Sequence, residues 1–437
     1  MFVMNRLKAV GAVSIFLFLV ACSSSDSGNG GSPNPPADSA FSTFDEASVV
    51  IGQVDFSTQT QQRASVNSVS GGTGPIAYFV ETGDSSSDVE KQLILPIEGQ
   101  NRSLVFDGVP ESNFAAAETV LGQASFLGEL AAVGINKMNT PVGAAANAQI
   151  VLISDSDNHR VLGFEGFPLA AFSSAVEADK VIGQNAFNEN NLLGCTASQF
   201  NAPSGVTITP SGKLLVADTE HHRVLLFNAI PNAAQGLIDA DLAIGAGSFT
   251  NCNASSAQLG LKRPTGVWSD DDTLIVADTG NNRVLIWNEL PTVAGALPDV
   301  VLGQVNFTQV AANDVNGDGL TDFPKAVSAS TLSLTSNVNT SYTGVDVSSD
   351  GQLCITDTDN NRVLLWDSIP SKNGEAADVV LGQSDFTRWV QWDDDQDGVV
   401  GFPSSRTLYN PMACKFIDDK LVVADYGTNR YLVFEQQ

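Results

Sequence analysis

Residues 275–287 read IVADTGNNRVLIW. An apolar run closes on Asp278, four turn-forming residues follow, and Arg283 opens a second apolar run. Gly and Asn between two β-branched or aromatic segments mark a tight connection between paired strands. The same pattern stands at LISDSDNHRVLGF (152–164), LVADTEHHRVLLF (215–227), CITDTDNNRVLLW (354–366) and VVADYGTNRYLVF (422–434). A worn copy, ILPIEGQNRSLVF (94–106), carries Ile97 where the others have Asp.

A second motif alternates with the first: VVIGQVDF (49–56), TVLGQASF (119–126), KVIGQNAF (180–187), LAIGAGSF (242–249), VVLGQVNF (300–307) and VVLGQSDF (379–386). Between the two lies a Pro-x-Gly-like strand start, as in PSGVTI (203–208) and PTGVWS (264–269). Six copies give a unit of about 65 residues with short strands, turn punctuation and no sustained helical period. Four strands per unit repeated six times predict an all-β, six-bladed β-propeller over 45–437. The chain opens on an outermost-strand motif and ends after a third strand. The N-terminal strand is therefore expected to complete the last blade and close the ring, which leaves no free sheet edge.

The VADTGNNRV segment resembles the NHL repeat, and six such blades resemble an NHL-type propeller. The GQxxF motif is similar to a branch of that family found in lipid-anchored or secreted bacterial proteins. Activities within the family range from RNA and protein binding to a metal-dependent lyase, so the resemblance sets the fold and leaves function open.

Residues present in every blade read as structure. Asp155, Asp218, Asp278, Asp357 and Asp425 each precede an Arg (160, 223, 283, 362, 430) by five positions. Such an Asp is expected to accept turn N–H groups and face the guanidinium. The recurring aromatics read as packing between blades, not as a substrate cage.

Composition narrows the partners. The 437 residues hold 21 Lys plus Arg against 49 Asp plus Glu, a formal charge of −28 that repels phosphate backbones and argues against nucleic acid. Five Cys without a CxxC pair exclude zinc ribbons and thioredoxin chemistry. No GxSxG elbow, HExxH helix or Walker loop occurs. His159 and His222 fill the turn slot that Asn282 and Asn361 occupy elsewhere. A zinc shared between these adjacent blades is one reading, although a lyase-like site calls for three converging His at the channel mouth; the other is an Asn-like turn role. The residues before the Pro-x-Gly starts (Thr140, Ala202, Arg263, Ser341, Asn410) form no carboxylate cluster, so no catalytic residue is assigned.

The N-terminus reads as an address. Arg6 and Lys8 precede an apolar run from Ala9 to Val20, too short for a stable membrane span. Leu19-Val20-Ala21-Cys22 resembles the lipobox of bacterial lipoproteins, which implies cleavage of 1–21, lipidation of Cys22 and outer-membrane attachment. Residues 22–44 are rich in Ser, Gly, Pro and Asp and read as a disordered tether. Among the remaining Cys, Cys195 and Cys252 occupy corresponding loops of neighbouring blades and are a possible disulfide, while Cys354 and Cys414 read as buried free thiols.

The sharpest chemical signal is calcium. DVNGDGLTD (314–322) places Asp314, Asn316 and Asp318 at positions 1, 3 and 5 of an EF-hand-like loop, with the Leu320 carbonyl at 7 and Asp322 at 9. DDDQDGVVG (393–401) repeats the spacing with Asp393, Asp395, Asp397 and the Val399 carbonyl. Both lack the position-12 Glu, having Lys325 and Ser404 there, so affinity is expected on the order of 10⁻⁴ M or weaker. The expected function is a lipid-anchored envelope protein whose calcium-stabilised propeller binds a protein or glycan. The alternative is a metal-dependent lyase or hydrolase working at the channel mouth.

Overall fold

The computed structural model describes residues 40–74, 76–82, 89–166, 176–192, 194–232, 234–335 and 342–437. Cys22 and the leader lie outside the described residues. Among these, six four-stranded antiparallel sheets follow one another as blades. Blade 4 is representative: Val267–Ser269, Leu274–Asp278, Arg283–Trp287 and Val300–Leu302, in that order from first strand to fourth. Blades 1, 2, 3 and 5 span 77–121, 141–182, 203–244 and 345–381. Blade 6 takes three strands from 411–435 and its fourth from Val49–Ile51, paired through Val50 to Leu432. The expected closure by the N-terminal strand is thus how the ring is made.

In five blades the second strand ends on the motif Asp and the third begins on the Arg, directly opposite in register, while in blade 1 Ile97 stands opposite Arg102. A single 3-10 turn, such as Thr279–Asn281, joins them and ends on a residue in the left-handed conformation. Asn, which tolerates that conformation better than most residues, holds the position in four blades.

The core is divided into six layers, each between two neighbouring blades. The third-strand aromatics Phe106, Phe164, Phe227, Trp287, Trp366 and Phe434 are buried there. The motif glycines hold positive φ at a close approach. At Gly303, with φ +83°, an added Cβ would sit 2.6 Å from Leu332 of the following loop.

All six layers lie within the compact unit Asp38–Gln437, so that unit contains its own core. The packed body begins before residue 45. Phe41 is buried against Phe416 with ring centroids 6.2 Å apart, and the Phe44 N–H donates to the Val380 carbonyl. An apolar Phe in a Ser-rich stretch enters the layer between blades 5 and 6, which composition alone does not reveal.

The cysteines require one correction. Cys354 and Cys414 are bonded to each other, not free, with Cα atoms 6.4 Å apart. Cys354 is on the second strand of blade 5 and Cys414 on the first strand of blade 6. Blade stacking sets these strands face to face, a juxtaposition invisible when each strand is read alone. Cys195 and Cys252 are also joined, their Cα atoms 6.1 Å apart.

Candidate functional site

The repeated polar residues form a buried clasp in each blade. Arg283 Nε donates to Asp278 Oδ2 at 2.6 Å, its Nη1 donates to the Phe307 carbonyl, and its Nη2 to the carbonyls of Ala257 and Gly260. One guanidinium therefore ties the 3-10 turn to the outer strand and to the loop arriving from the preceding blade. Arg160, Arg223, Arg362 and Arg430 repeat the arrangement, and all are wholly buried.

The Asp partner differs from expectation in one respect. Its Oδ1 accepts an N–H of the incoming loop, not of its own turn: Asn139, Asn201, Lys262, Ser333 and Tyr409 are the donors. The turn lies on the same chain segment and was the natural sequence-level guess, but the blade-to-blade approach supplies the nearer donor. Burial pushes the Asp155 and Asp278 carboxyls up to about 6 against the pull of their arginines. In blade 1, where Ile97 replaces Asp, Gln100 Oε1 accepts from Arg102 Nη2 at 2.7 Å. Without a carboxylate partner, burial brings the Arg102 guanidinium down to about 10.

The histidines serve the same clasp. His159 Nδ1 accepts the Ala202 N–H and His222 Nδ1 accepts the Arg263 N–H, both at 3.1 Å. Asn101, Asn282, Asn361 and Asn429 make the equivalent bond with their amide oxygens. His221 Nδ1 bonds Asp218 Oδ2, where Asn158, Asn281 and Asn360 stand in other blades. Every His thus occupies an Asn position, and no converging His set exists at the axis.

The two acidic loops, 314–322 and 393–401, follow the outer strands Val300–Leu302 and Val379–Leu381 on the same face as the 3-10 turns. Lys325, just after the first loop, places Nζ 4.5 Å from the ring centre of Trp389, just before the second, so the loops adjoin. They differ in how their oxygens are used. In the first, Asp314 accepts the N–H groups of Asp318 and Gly319, Asp318 that of Leu320, and Asp322 those of Val315 and the Asn316 amide. The oxygens have closed on the loop itself.

In the second loop, Asp393, Asp395 and Asp397 each bring a carboxylate oxygen within 4.8 Å of the others, the one such gathered set among the described residues. Oxygens on opposite sides of a single calcium ion stand about 5 Å apart. The Asp393 side chain is 0% exposed. Its Oδ2 accepts the Gly398 N–H at 3.0 Å, while its Oδ1 has no hydrogen-bond partner. A buried carboxylate oxygen left without a partner costs several kcal/mol unless a cation satisfies it. Arg388, with Nη1 3.7 Å from Asp393 Oδ2, offsets part of the charge from one side. The donor set, all hard oxygens, suits Ca²⁺ rather than zinc.

The axis holds two further features. First strands of successive blades surround a cavity of about 120 Å³ lined by Ala144–Ala146, Thr207, Trp268 and the Asp346–Lys415 ion pair. Towards the clasp face, Val142, Tyr342 and Met412 pack together with Tyr426. Beside them Glu98 keeps a buried Oε2 without a hydrogen-bond partner. Burial and the Asp157 charge push its carboxyl up to about 7. Glu98 and Asp157 come from 3-10 turns, not from the residues preceding the Pro-x-Gly starts, which is why the sequence search passed over them.

The NHL repeat family model matches residues 200–227. No curated protein matches the chain. Among solved structures, an auxiliary nutrient binding protein from Bacteroides thetaiotaomicron shares 8% identity, covering 89% of this chain and 76% of that one at a TM-score of 0.45. A protein of unknown function from the same species shares 10% over 88% and 76%, also at 0.45. Virginiamycin B lyase from Staphylococcus aureus shares 12% over 86% and 98%, at 0.38. At these similarities none of them assigns an activity here.

Proposed function

We propose that this NHL-repeat six-bladed propeller is a calcium-dependent binding module, held at the cell envelope by a lipid on Cys22. The observation that supports it best is the second acidic loop, where Asp393, Asp395 and Asp397 gather their carboxylates and the buried Asp393 Oδ1 has no protein donor. Calcium would be held there by those three carboxylates and the Val399 carbonyl. Position 12 is Ser404 and position 9 is Gly401, so coordination from the protein is incomplete and the outer positions stay available to water or a ligand oxygen. The first loop, where Asp314 and Asp322 each use both oxygens for internal hydrogen bonds, would take a second, weaker ion. The binding face is therefore the clasp face, where the longest connections gather, and its ligand is a protein, glycan or other oxygen-bearing surface. Calcium titration by calorimetry, with melts in calcium and in chelator, tests the reading. Heat of binding at millimolar or lower calcium and a raised melting temperature are expected. Silence in both would overturn it.

A metal-dependent lyase or hydrolase at the channel mouth is the second reading, favoured by the unpartnered Glu98 oxygen. The neighbouring Val142, Tyr342 and Met412 form an apolar cluster, which weighs against a metal-binding mouth there.

A further inference from the structure

The two acidic loops carry more than carboxylates. Phe323 is 98% exposed and Phe402 79%, each directly before a Pro at the end of its loop. Leu320, Val399 and Val400 beside them are also exposed, as is Val305 at the start of the first connection. Folded monomers rarely leave so many large apolar side chains together on one face without a use. Lys325 and Trp389 bring the two connections into contact, and both sets lie on the face that carries the 3-10 turns.

The geometry points to calcium-dependent insertion of these loop tips into a phosphoglyceride membrane surface, a contact separate from any lipid on Cys22. This inference rests on the calcium reading above. The choice of occupant follows from three observations. A ring that is 98% exposed has neither face backed by protein, so Phe323 is a protruding wedge. A sugar-stacking platform lies flat, with one face covered. A wedge suits an apolar phase it can enter. Next, an ion held by Asp393, Asp395 and Asp397 keeps outer coordination positions, which phosphate oxygens can fill. A phospholipid surface is the partner that offers anionic oxygens and apolar depth at one place. Finally, the chain carries a net charge of −28 and repels an anionic bilayer unless calcium bridges the two. The attachment should therefore be strictly calcium-dependent, with the apolar tips supplying the buried area.

The test uses the self-contained unit 38–437, which has no acyl chain, and vesicles of three parts phosphatidylcholine to one part phosphatidylglycerol. Co-sedimentation is expected in millimolar calcium and should vanish in chelator. The double variant Phe323→Ser/Phe402→Ser should lose at least about tenfold in vesicle affinity while keeping the calcium-induced rise in melting temperature. The triple variant Asp393→Asn/Asp395→Asn/Asp397→Asn should lose both. If calcium raises the melting temperature but no vesicle binding appears, the membrane inference is overturned and the calcium site stands. If calcium changes neither, both readings fall. Calcium-dependent self-association in light scattering, abolished by the Phe double variant and unaffected by vesicles, would assign the surface to a second copy of the chain instead.

Discussion

At the scale of single residues, the molecule depends on charges placed where water cannot reach them. Arg283 is wholly buried, and Asp278 is its counter-charge at 2.6 Å. Asp278→Ala leaves that guanidinium desolvated and unpaired, so a loss of about 3–5 kcal/mol is expected in denaturant unfolding. A cost below 1 kcal/mol would mean that the carbonyl bonds alone carry the clasp, as an amide partner already does for Arg102. Glu98 gives a pH signature. Its folded value of about 7 lies above the ordinary glutamate value of 4.5. The folded state therefore holds the proton more tightly than the unfolded chain. The stability this confers is complete below about 4.5 and is lost as pH rises towards and through 7. Glu98→Gln should remove the loss and raise the unfolding free energy at pH 8 more than at pH 5, by an amount on the order of 2 kcal/mol. An equal shift at both pH values would contradict the assignment. The structural role of Asp, Arg and the Asn-like His was legible from recurrence, because a residue repeated in every blade serves the blade. Glu98 was not legible, since its partners come from blade 2 and from the segment before blade 5, and spacing along the chain does not reveal convergence on an axis.

Among the elements, the strand Val49–Ile51 and the Cys354–Cys414 bond do related work from opposite sides of blade 6. The strand completes the sheet, and Phe56 just beyond it supplies the carbonyl that Arg430 Nη1 holds. Deleting residues 40–56 should expose the Arg430–Glu435 edge and leave Arg430 short of an acceptor. A lower, broadened melt with rising light scatter is the expected outcome, and an unchanged melt would refute ring closure by this strand. The disulfide links blade 5 to blade 6 over a sequence separation of 60. Cross-links closing loops of that length stabilise by roughly 4 kcal/mol in the chain-entropy model. Cys354→Ala/Cys414→Ala should therefore lower the unfolding free energy by about that much in non-reducing buffer, and an unaltered denaturation midpoint would count against it. Strand order and closure could be read from the alternation of two motifs, because each motif reports a fixed place in its blade. The disulfide could not, because pairing between blades depends on which strand faces which, and a single-strand reading registers only two apolar environments.

For the whole molecule, the ring is a rigid support that gathers its longest loops on one face, and function is expected where the repeat is interrupted. The acidic insertions after blades 4 and 5 are legible as calcium-type loops from spacing alone. The difference between them is not: the Asp314–Gly319 and Asp318–Leu320 bonds recur as Asp393–Gly398 and Asp397–Val399, but Asp393 keeps one buried oxygen without a donor and gathers with Asp395 and Asp397. That difference rests on backbone geometry that identical spacing does not encode. Trp392 adjoins Asp393 in the chain and packs edge-on against Tyr409, 5.0 Å between ring centres. It places an indole beside the candidate ion and allows the site to be addressed directly. Terbium, a luminescent substitute for calcium, should emit on tryptophan excitation when added to the unit 38–437. Calcium should quench that emission by competition, and Asp393→Asn/Asp395→Asn should abolish it while Asp314→Asn leaves most of it in place. Emission that is absent, or that survives loss of Asp393 and Asp395, would contradict a calcium site in the second loop.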